Sequence, residues 1–226
     1  MLIEETPYVR EKLDGFGSAL KHPFAAVVKQ QGRRFQSAFE WCSGIGEIGM
    51  TLLRKDLCTR LCLSDINPEA IKIAREIAAR DELTDKIDFF VGNNLSAIPA
   101  SLKFDLVVAN PPNYFNIQPA HPFGKLYAND LRPNDRGWKL HEEFYATIGA
   151  HLLPDAVMLI EEVEPYKKEV FFHHPSGYTG PYDVRDEIPM SAFERMTSKN
   201  GLKIKDVSLL TTSDGVAIYV LKIVAA

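Results

Sequence analysis

The sequence predicts an α/β fold: a three-layer sandwich around a seven-stranded, mostly parallel sheet that ends in an antiparallel C-terminal hairpin. Three observations carry this prediction. Short apolar runs alternate with stretches of helical periodicity, the order expected of a parallel sheet covered on both faces. A glycine-rich turn, Gly44 to Gly49, follows the first apolar run. Two β-rich runs flank Ser213-Asp214-Gly215 near the C-terminus, a hairpin signal.

The elements follow in order. Residues 1–34 read as irregular or helical, with an apolar patch at Pro23–Val28, and form a cap or lid segment ahead of one domain over 35–226. Phe35–Trp41 is the first strand and Ile48–Arg54 the helix after it. Leu61–Ser64 is the second strand. Asn67-Pro68 opens the helix Glu69–Arg80, with Pro in the first turn, where a missing N–H does no harm. Ala70, Ile71, Ile73, Ala74 and Ile77 give that helix its apolar spacing. Ile87–Val91 is the third strand. Phe104–Ala109 is the fourth, apolar almost throughout, as a strand buried on both faces should be.

Trp138–Leu153 reads as a helix closed by Pro154-Asp155, and Val157–Val163 as the fifth strand. Ser191–Lys199 is a helix with Ser191 as N-cap and Glu194 three residues on, a capping-box pattern. Asn200-Gly201 ends it. Lys203–Leu210 and Val216–Val224 are the hairpin strands. Residues 111–137 and 164–188 show no regular pattern. Structureless loops beyond about 15 residues are uncommon in compact domains and are usually functional or disordered. Both follow the carboxyl ends of strands, where open α/β sheets bind ligands.

Composition narrows the function. The chain has 226 residues and a formal net charge of −4, which argues against a nucleic-acid surface that works by bulk charge. No apolar run reaches the roughly 18 residues a membrane helix needs, and the charged start MLIEETPYVREKLDGF lacks a signal-peptide core. Three cysteines, Cys42, Cys58 and Cys62, are too few for a disulfide framework and lack a second pair at zinc spacing. They read as buried small hydrophobes in a reducing cytoplasm, with no metal site.

Gly44, Gly46 and Gly49 spell G-x-G-x-x-G between a strand and a helix. Glycines let the backbone turn sharply and approach a ligand, and the helix N-terminus behind them offers free N–H groups. Asp65 ends the next strand, where a carboxylate accepts hydrogen bonds from two ribose hydroxyls. A dinucleotide dehydrogenase shows the same fingerprint. Two features shift the choice. Glu40, before the first glycine, is poor company for a pyrophosphate and suits a ligand carrying an amine and a sulfonium. The fourth strand ends in Asn110-Pro111-Pro112-Asn113.

On these residues, over roughly 35–224, the chain resembles the class I S-adenosylmethionine-dependent methyltransferases. Within them it is similar to the subgroup with an Asn-Pro-Pro-(Tyr/Phe/Trp) motif, which includes exocyclic-amine and release-factor glutamine N-methyltransferases. The resemblance implies a Rossmann-like sheet and S-adenosyl-L-methionine as cofactor. It implies that Glu40 sits near the methionyl amine, that Gly44 and Gly46 let the methionine part lie on the backbone, and that Asp65 holds the ribose. Ile66 would pack on the adenine. Asn93, where the family has Asp, would contact the adenine amine with Asn94 beside it. Cys42 stands where the motif has a further glycine.

Methyl transfer needs a neutral lone pair aimed at the methyl carbon, so such a site mainly orients and desolvates. The Asn110 side-chain oxygen and the Pro111 carbonyl are the expected acceptors for N–H groups of the substrate nitrogen. Pro111 and Pro112 stiffen the turn. Asn113 replaces the family's stacking aromatic, which puts a planar base in doubt and leaves Tyr114 or Phe115 to stand in.

His121, His173, His174 and Tyr178 are further substrate candidates, in segments where Tyr166, Phe171, Phe172 and Tyr182 either line a pocket or anchor loops. Glu161, Glu162 and Glu164 either bind a cation or, the favoured reading, are solvated strand-end charges. Tyr8, Phe16 and Phe24 close over the cofactor or cap the sheet. The expected function is methyl transfer to a nitrogen of a small-molecule or peptide acceptor, with no membrane role. The alternatives are RNA or protein-glutamine N-methylation, an NAD-dependent dehydrogenase, and a non-catalytic binding module.

Overall fold

The computed structural model describes residues 17–127, 132–172, 176–212 and 215–226. Helix α1 (Gly17–Gln30) is followed by β1 (Phe35–Trp41), α2 (Glu47–Arg54), β2 (Cys58–Asp65), α3 (Pro68–Arg80), β3 (Ile87–Val91) and β4 (Phe104–Ala109). A four-residue helix α4 (Gly124–Tyr127), α5 (Lys139–Ile148) and β5 (Leu152–Glu162) come next. The two-residue strands β6 (Glu169–Val170) and β7 (Asp183–Val184) precede α6 (Pro189–Lys199), β8 (Leu202–Thr211) and β9 (Ala217–Ala225). One seven-stranded sheet runs β3-β2-β1-β4-β5-β9-β8, and β6-β7 form a separate ribbon. β1 to β5 pair in parallel, while β9 is antiparallel to both β5 and β8.

Strand alternation builds the three layers. On the central strands, Ala38, Leu106 and Val108 face one core with Leu20 and Phe24 of α1, Ile48 and Leu52 of α2, and Ala74 of α3. Phe39, Trp41, Val107 and Ala109 face the other, with Phe144 of α5 and Phe193 of α6. α1 therefore packs into the same core as the sheet, and its Lys21 Nζ donates to Glu47 Oε2 of α2 at 2.8 Å. Phe24 is a core residue; Tyr8 and Phe16 lie outside the described residues.

Several expectations are met closely. β1, β3 and β4 have the expected bounds. Asn67 caps α3, its Oδ1 accepting from Glu69 N at 3.0 Å. Cys58 and Cys62 are buried free thiols, and burial pushes Cys58 up to about 12.

Three expectations are corrected. The helix expected over Trp138–Leu153 stops at Ile148, passes through a tight turn at Gly149–His151 and gives way to β5 at Leu152. Pro154-Asp155 lies inside an irregular strand, where the register against β4 shifts and Asp155 takes φ 61°; bulges tolerate proline. Ser191 is not an N-cap. Pro189 starts α6 two residues earlier, behind Ile188, because its fixed φ is already helical.

The third correction concerns the long loops, which are not structureless. Tyr114 bridges to Asn134 and Ile117 to Asp183. The buried Asp183 carboxylate accepts from Phe115 N, from Asn116 N at 2.5 Å and from Arg185 Nε at 2.8 Å. Arg185, also buried, donates onward to the carbonyls of Val163, Glu164 and Lys167. One ion pair thus ties the segment after β4 to the segment after β5.

Candidate active site

A cleft of about 1930 Å³ opens at the carboxyl ends of β1, β2, β4 and β5. One side is built from backbone. Gly44 and Gly46 take left-handed φ of 52° and 79°, and Gly46 is the N-cap of α2. Cys42 also takes a left-handed φ of 52°, a conformation that favours glycine. Burial and the charges of Asp65 and Asp135 push its thiol well up, so it is no thiolate nucleophile. Gly44 N donates to Asp65 Oδ2 at 2.8 Å and Asn67 N to Asp65 Oδ1 at 2.9 Å, so one carboxylate joins the glycine turn to the start of α3. Burial raises the Asp65 carboxyl, and these N–H groups pull it back.

Glu40 is buried in the cleft wall, and its Oε2 accepts from Gly49 N at 2.7 Å. A Cβ on Gly49 would lie 2.6 Å from that oxygen, so the third glycine makes room for the carboxylate. The carboxylate sits at the positive end of α2.

The residues fit a nucleoside with an amino-acid tail. Ser43 Oγ and Ser64 Oγ line the cleft, are buried and find no partner among the described residues, an arrangement that costs free energy until a ligand supplies one. Ile66 is 59% exposed at the cleft edge, an apolar face for a base. Asn93 is exposed on the same rim. Asn94 also lines the cleft, but its amide is engaged inward. Its Oδ1 accepts from Trp41 Nε1 at 2.9 Å, and its Nδ2 donates to Leu140 O and Glu143 Oε2.

The other side of the cleft carries Asn110, Pro111, Pro112, Asn113 and Tyr114. Asn110 is half-buried just beyond β4. Asn113 is buried, and its Nδ2 donates to Glu161 Oε2 at 2.7 Å. Tyr114 reaches the cleft and packs edge-on against Tyr182, ring centroids 5.1 Å apart.

Three predicted substrate residues are not brought to the cleft. Phe115 turns away against Trp138 in the second core. His121 is wholly buried: its Nδ1 accepts from Phe123 N and its Nε2 donates to Phe172 O at 3.2 Å. Tyr178 packs edge-on against His121. Apolar packing claims these rings as loop anchors. His173 and His174 lie outside the described residues.

The reading of Glu161 and Glu162 as solvated charges is overturned, because β5 runs on through both and buries them. Their signal was the unbroken apolar run that precedes them. Glu162 Oε1 lies 3.0 Å from Nε2 of His141, whose Nδ1 lies 2.6 Å from Asp135 Oδ2. Burial pulls the imidazole down, but the Glu162 charge and the hydrogen bonds to both carboxylates outweigh it and raise it to about 10. Burial also favours the neutral form of Asp135, yet its hydrogen bond to His141 holds the carboxyl below its usual range. Among the described residues no cluster of three or more His, Cys, Asp or Glu has metal-site geometry.

Residues 10–120 match the family described as Methyltransferase small domain. The match takes in 111 of the 226 residues, just under half of the chain. The matched stretch spans the glycine turn, Asp65 and the Asn110–Asn113 motif, and stops before most of the acceptor-side loops. The glycine turn, the orphaned serines and Asp65 fit S-adenosylmethionine. The release factor glutamine methyltransferase of Aquifex aeolicus (strain VF5) is 28% identical over 127 residues, covering 54% of this chain and 44% of the relative. The chain thus spans less than half the length of that relative. Among solved structures, a ribosomal protein L11 methylase from Lactobacillus delbrueckii subsp. bulgaricus superposes with a TM-score of 0.60 at 15% identity, covering 94% of this chain and 82% of its own. A glycopeptide N-methyltransferase complexed with S-adenosyl-L-methionine gives 0.59 at 14% identity, covering 93% and 94%. These likenesses establish a methyltransferase fold.

Proposed function

We propose that this chain is a cytoplasmic enzyme that transfers a methyl group from S-adenosylmethionine to a nitrogen of a small-molecule or peptide acceptor. The observation that carries the reading is that one cleft holds both the glycine turn with Asp65 and the Asn110-Pro111-Pro112-Asn113 motif. S-adenosylmethionine, when bound, supplies a methyl group made electrophilic by a sulfonium.

The chain's own residues supply orientation. Ser43, Ser64, Asp65, Ile66 and Asn93 hold the nucleoside end, and Glu40 with the Gly44–Gly46 backbone holds the amino-acid end. The Asn110 oxygen and the Pro111 carbonyl accept N–H groups of the acceptor and turn its lone pair toward the methyl carbon. Alignment of this kind is worth effective molarities of about 10⁵–10⁸ M. Pro111 and Pro112 keep that carbonyl from relaxing away. The motif supports membership of the Asn-Pro-Pro subgroup, with Asn113 as its variant fourth position. Methylation of a protein glutamine is the second reading, favoured by the relative from Aquifex aeolicus.

Thermal unfolding with S-adenosylhomocysteine, and separately with NAD, tests the cofactor. A ligand at 100 times its Kd adds about 2.7 kcal/mol, or roughly 5–10 °C for a chain of this size. The expected result is a shift with the homocysteine compound alone; a shift with NAD alone restores the dehydrogenase. Asn110→Ala then tests the motif. Turnover is expected to fall about 100-fold with S-adenosylhomocysteine affinity unchanged, and unchanged turnover removes Asn110 from the mechanism.

A further inference from the structure

The acceptor side of the cleft carries one group that methyl transfer by orientation alone leaves unused, the Glu161 carboxyl. Ala109 pairs with Ile160 in the parallel ladder, so Asn110 and Glu161 leave neighbouring strands at the same level. Glu161 is 2% exposed, yet it lines the cleft. It is held there by Asn113 Nδ2 at 2.7 Å, from the position where the related motif carries an aromatic ring. The sheet thus delivers a carboxyl, fixed by an amide, to the acceptor side of the cleft.

Burying a carboxyl is costly unless a charge partner or hydrogen bonds compensate. The neighbouring cations are committed: Arg185 pairs with Asp183, and His141 with Asp135 and Glu162. Among the described residues Glu161 forms no ion pair. The charges that act on it are those of Glu162, its neighbour on β5, and His141. A cationic acceptor would complete the set.

Building on the methyl-transfer reading, we propose that Glu161, held by Asn113, is a catalytic residue that binds an aliphatic amine acceptor and takes the proton its nitrogen carries. An aliphatic amine near neutral pH is an ammonium ion with no free lone pair; the lysine amine titrates at about 10.4. A flat base or a carboxamide is already neutral and needs no such group. A solvated carboxylate is too weak a base for the task. In a dry cleft, burial raises the carboxyl's proton affinity and lowers the amine's. Here burial and the Glu162 charge hold the Glu161 carboxyl well above the usual carboxylate range.

The step balances. The entering cation draws the Glu161 proton off to water; from the ammonium–carboxylate pair so formed, one ammonium proton passes to a Glu161 oxygen, leaving a neutral amine and a carboxylic acid. The freed lone pair forms the new N–C bond as the S–C bond breaks, with its electron pair kept by sulfur. Glu161 keeps that proton as the methylated ammonium leaves and so returns to its starting state.

The test uses the full chain, labelled S-adenosylmethionine and three sets of probes: primary amines (n-butylamine, putrescine and lysine), a glutamine-containing peptide, and adenosine. The expected result is methylation of at least one amine and of neither other probe. Glu161→Gln is expected to lower amine turnover about 100-fold while S-adenosylhomocysteine affinity stays within about twofold. With S-adenosylhomocysteine bound, the amine is expected to raise the melting temperature of the wild type and not of Glu161→Gln. Asn113→Leu, which keeps the carboxyl but frees it, is expected to raise KM for the amine more than it lowers kcat.

Methylation of the peptide or adenosine without the amines overturns the proposal and leaves the methyltransferase reading standing. So do unchanged turnover in Glu161→Gln and the absence of any amine binding or methylation. Failure of the wild type to bind S-adenosylhomocysteine overturns the reading beneath it instead.

Discussion

The two sides of the cleft are held by different physics. On the cofactor side, three left-handed residues, one carboxylate accepting two backbone N–H groups and one carboxylate at a helix start shape the site. Two of these contacts stay within a strand–turn–helix unit, spanning nine and two residues, and the third, Gly44 to Asp65, links that unit to the next. On the acceptor side, the buried cluster Asp135–His141–Glu162 fastens the loop after β4 to α5 and β5, and the buried pair Asp183–Arg185 fastens the loops after β4 and β5 to each other, with contacts that span up to 68 residues of chain. Backbone turns tolerate little variation because their φ values are demanding. Ion-paired loops can be rebuilt around a new acceptor while the cofactor side stays the same. This is the division expected when one cofactor serves many substrates.

The comparison breaks most sharply at Arg185. Arg185→Met leaves Asp183 buried and unpaired and three carbonyls without their donor. Breaking one member of a buried pair costs about 3–5 kcal/mol. Urea unfolding is expected to show a loss of that size, with S-adenosylhomocysteine affinity in the folded fraction little changed. Equal loss of cofactor binding would mean that the two sides are one cooperative unit.

The pH dependence of stability comes next. His141 is raised from 6.5 to about 10, and the Glu161 and Glu162 carboxyls are raised from 4.5. All three bind more protons in the native state than in the unfolded one, so stability falls as pH rises. The imidazolium contribution is complete below about 6.5 and is lost as pH approaches about 10; the carboxyl contributions begin to fall above about 4.5. Asp135 is lowered, so its contribution is present above 3.8 and is lost only in stronger acid. Denaturant unfolding between pH 6.5 and 9.5 is expected to show a steady decline that His141→Gln flattens. A flat wild-type profile would remove the imidazolium from the cluster.

Gly46→Ala acts on the other side. A Cβ there would lie 2.6 Å from Leu63 Cδ1 at a φ of 79°. Strain of this kind costs about 1–3 kcal/mol, and S-adenosylhomocysteine binding is expected to weaken with it. The smallest effect is expected at Asn67→Ala, which removes the cap of α3 for about 1 kcal/mol. A calorimetric scan that showed no loss there would mean that Asp65, which also accepts from Asn67 N, orders the turn alone.

Legibility followed the same division. β1, β3, β4 and the glycine turn could be read because each rests on short-range pattern: apolar runs, glycine spacing and an Asn-Pro cap. Cys42 could be named as a departure, but its left-handed backbone could not be seen. The acceptor side was misread in part. Glu161 and Glu162 looked solvated because charge at the end of an apolar run normally is. Phe115, His121 and Tyr178 looked like pocket linings because an aromatic-rich loop carries no sign of which way each ring turns.

Steric and hydrophobic periodicity act over a few residues, and they set the sheet, its glycine turn and the place of the Asn-Pro-Pro motif at a strand end. Only the tertiary structure decided which charges are buried and which rings face the cleft. Asp183 finds Phe115, and His141 finds Glu162, only once the strands have brought distant segments together. A carboxyl's burial is a property of everything packed around it, and no local pattern encodes that.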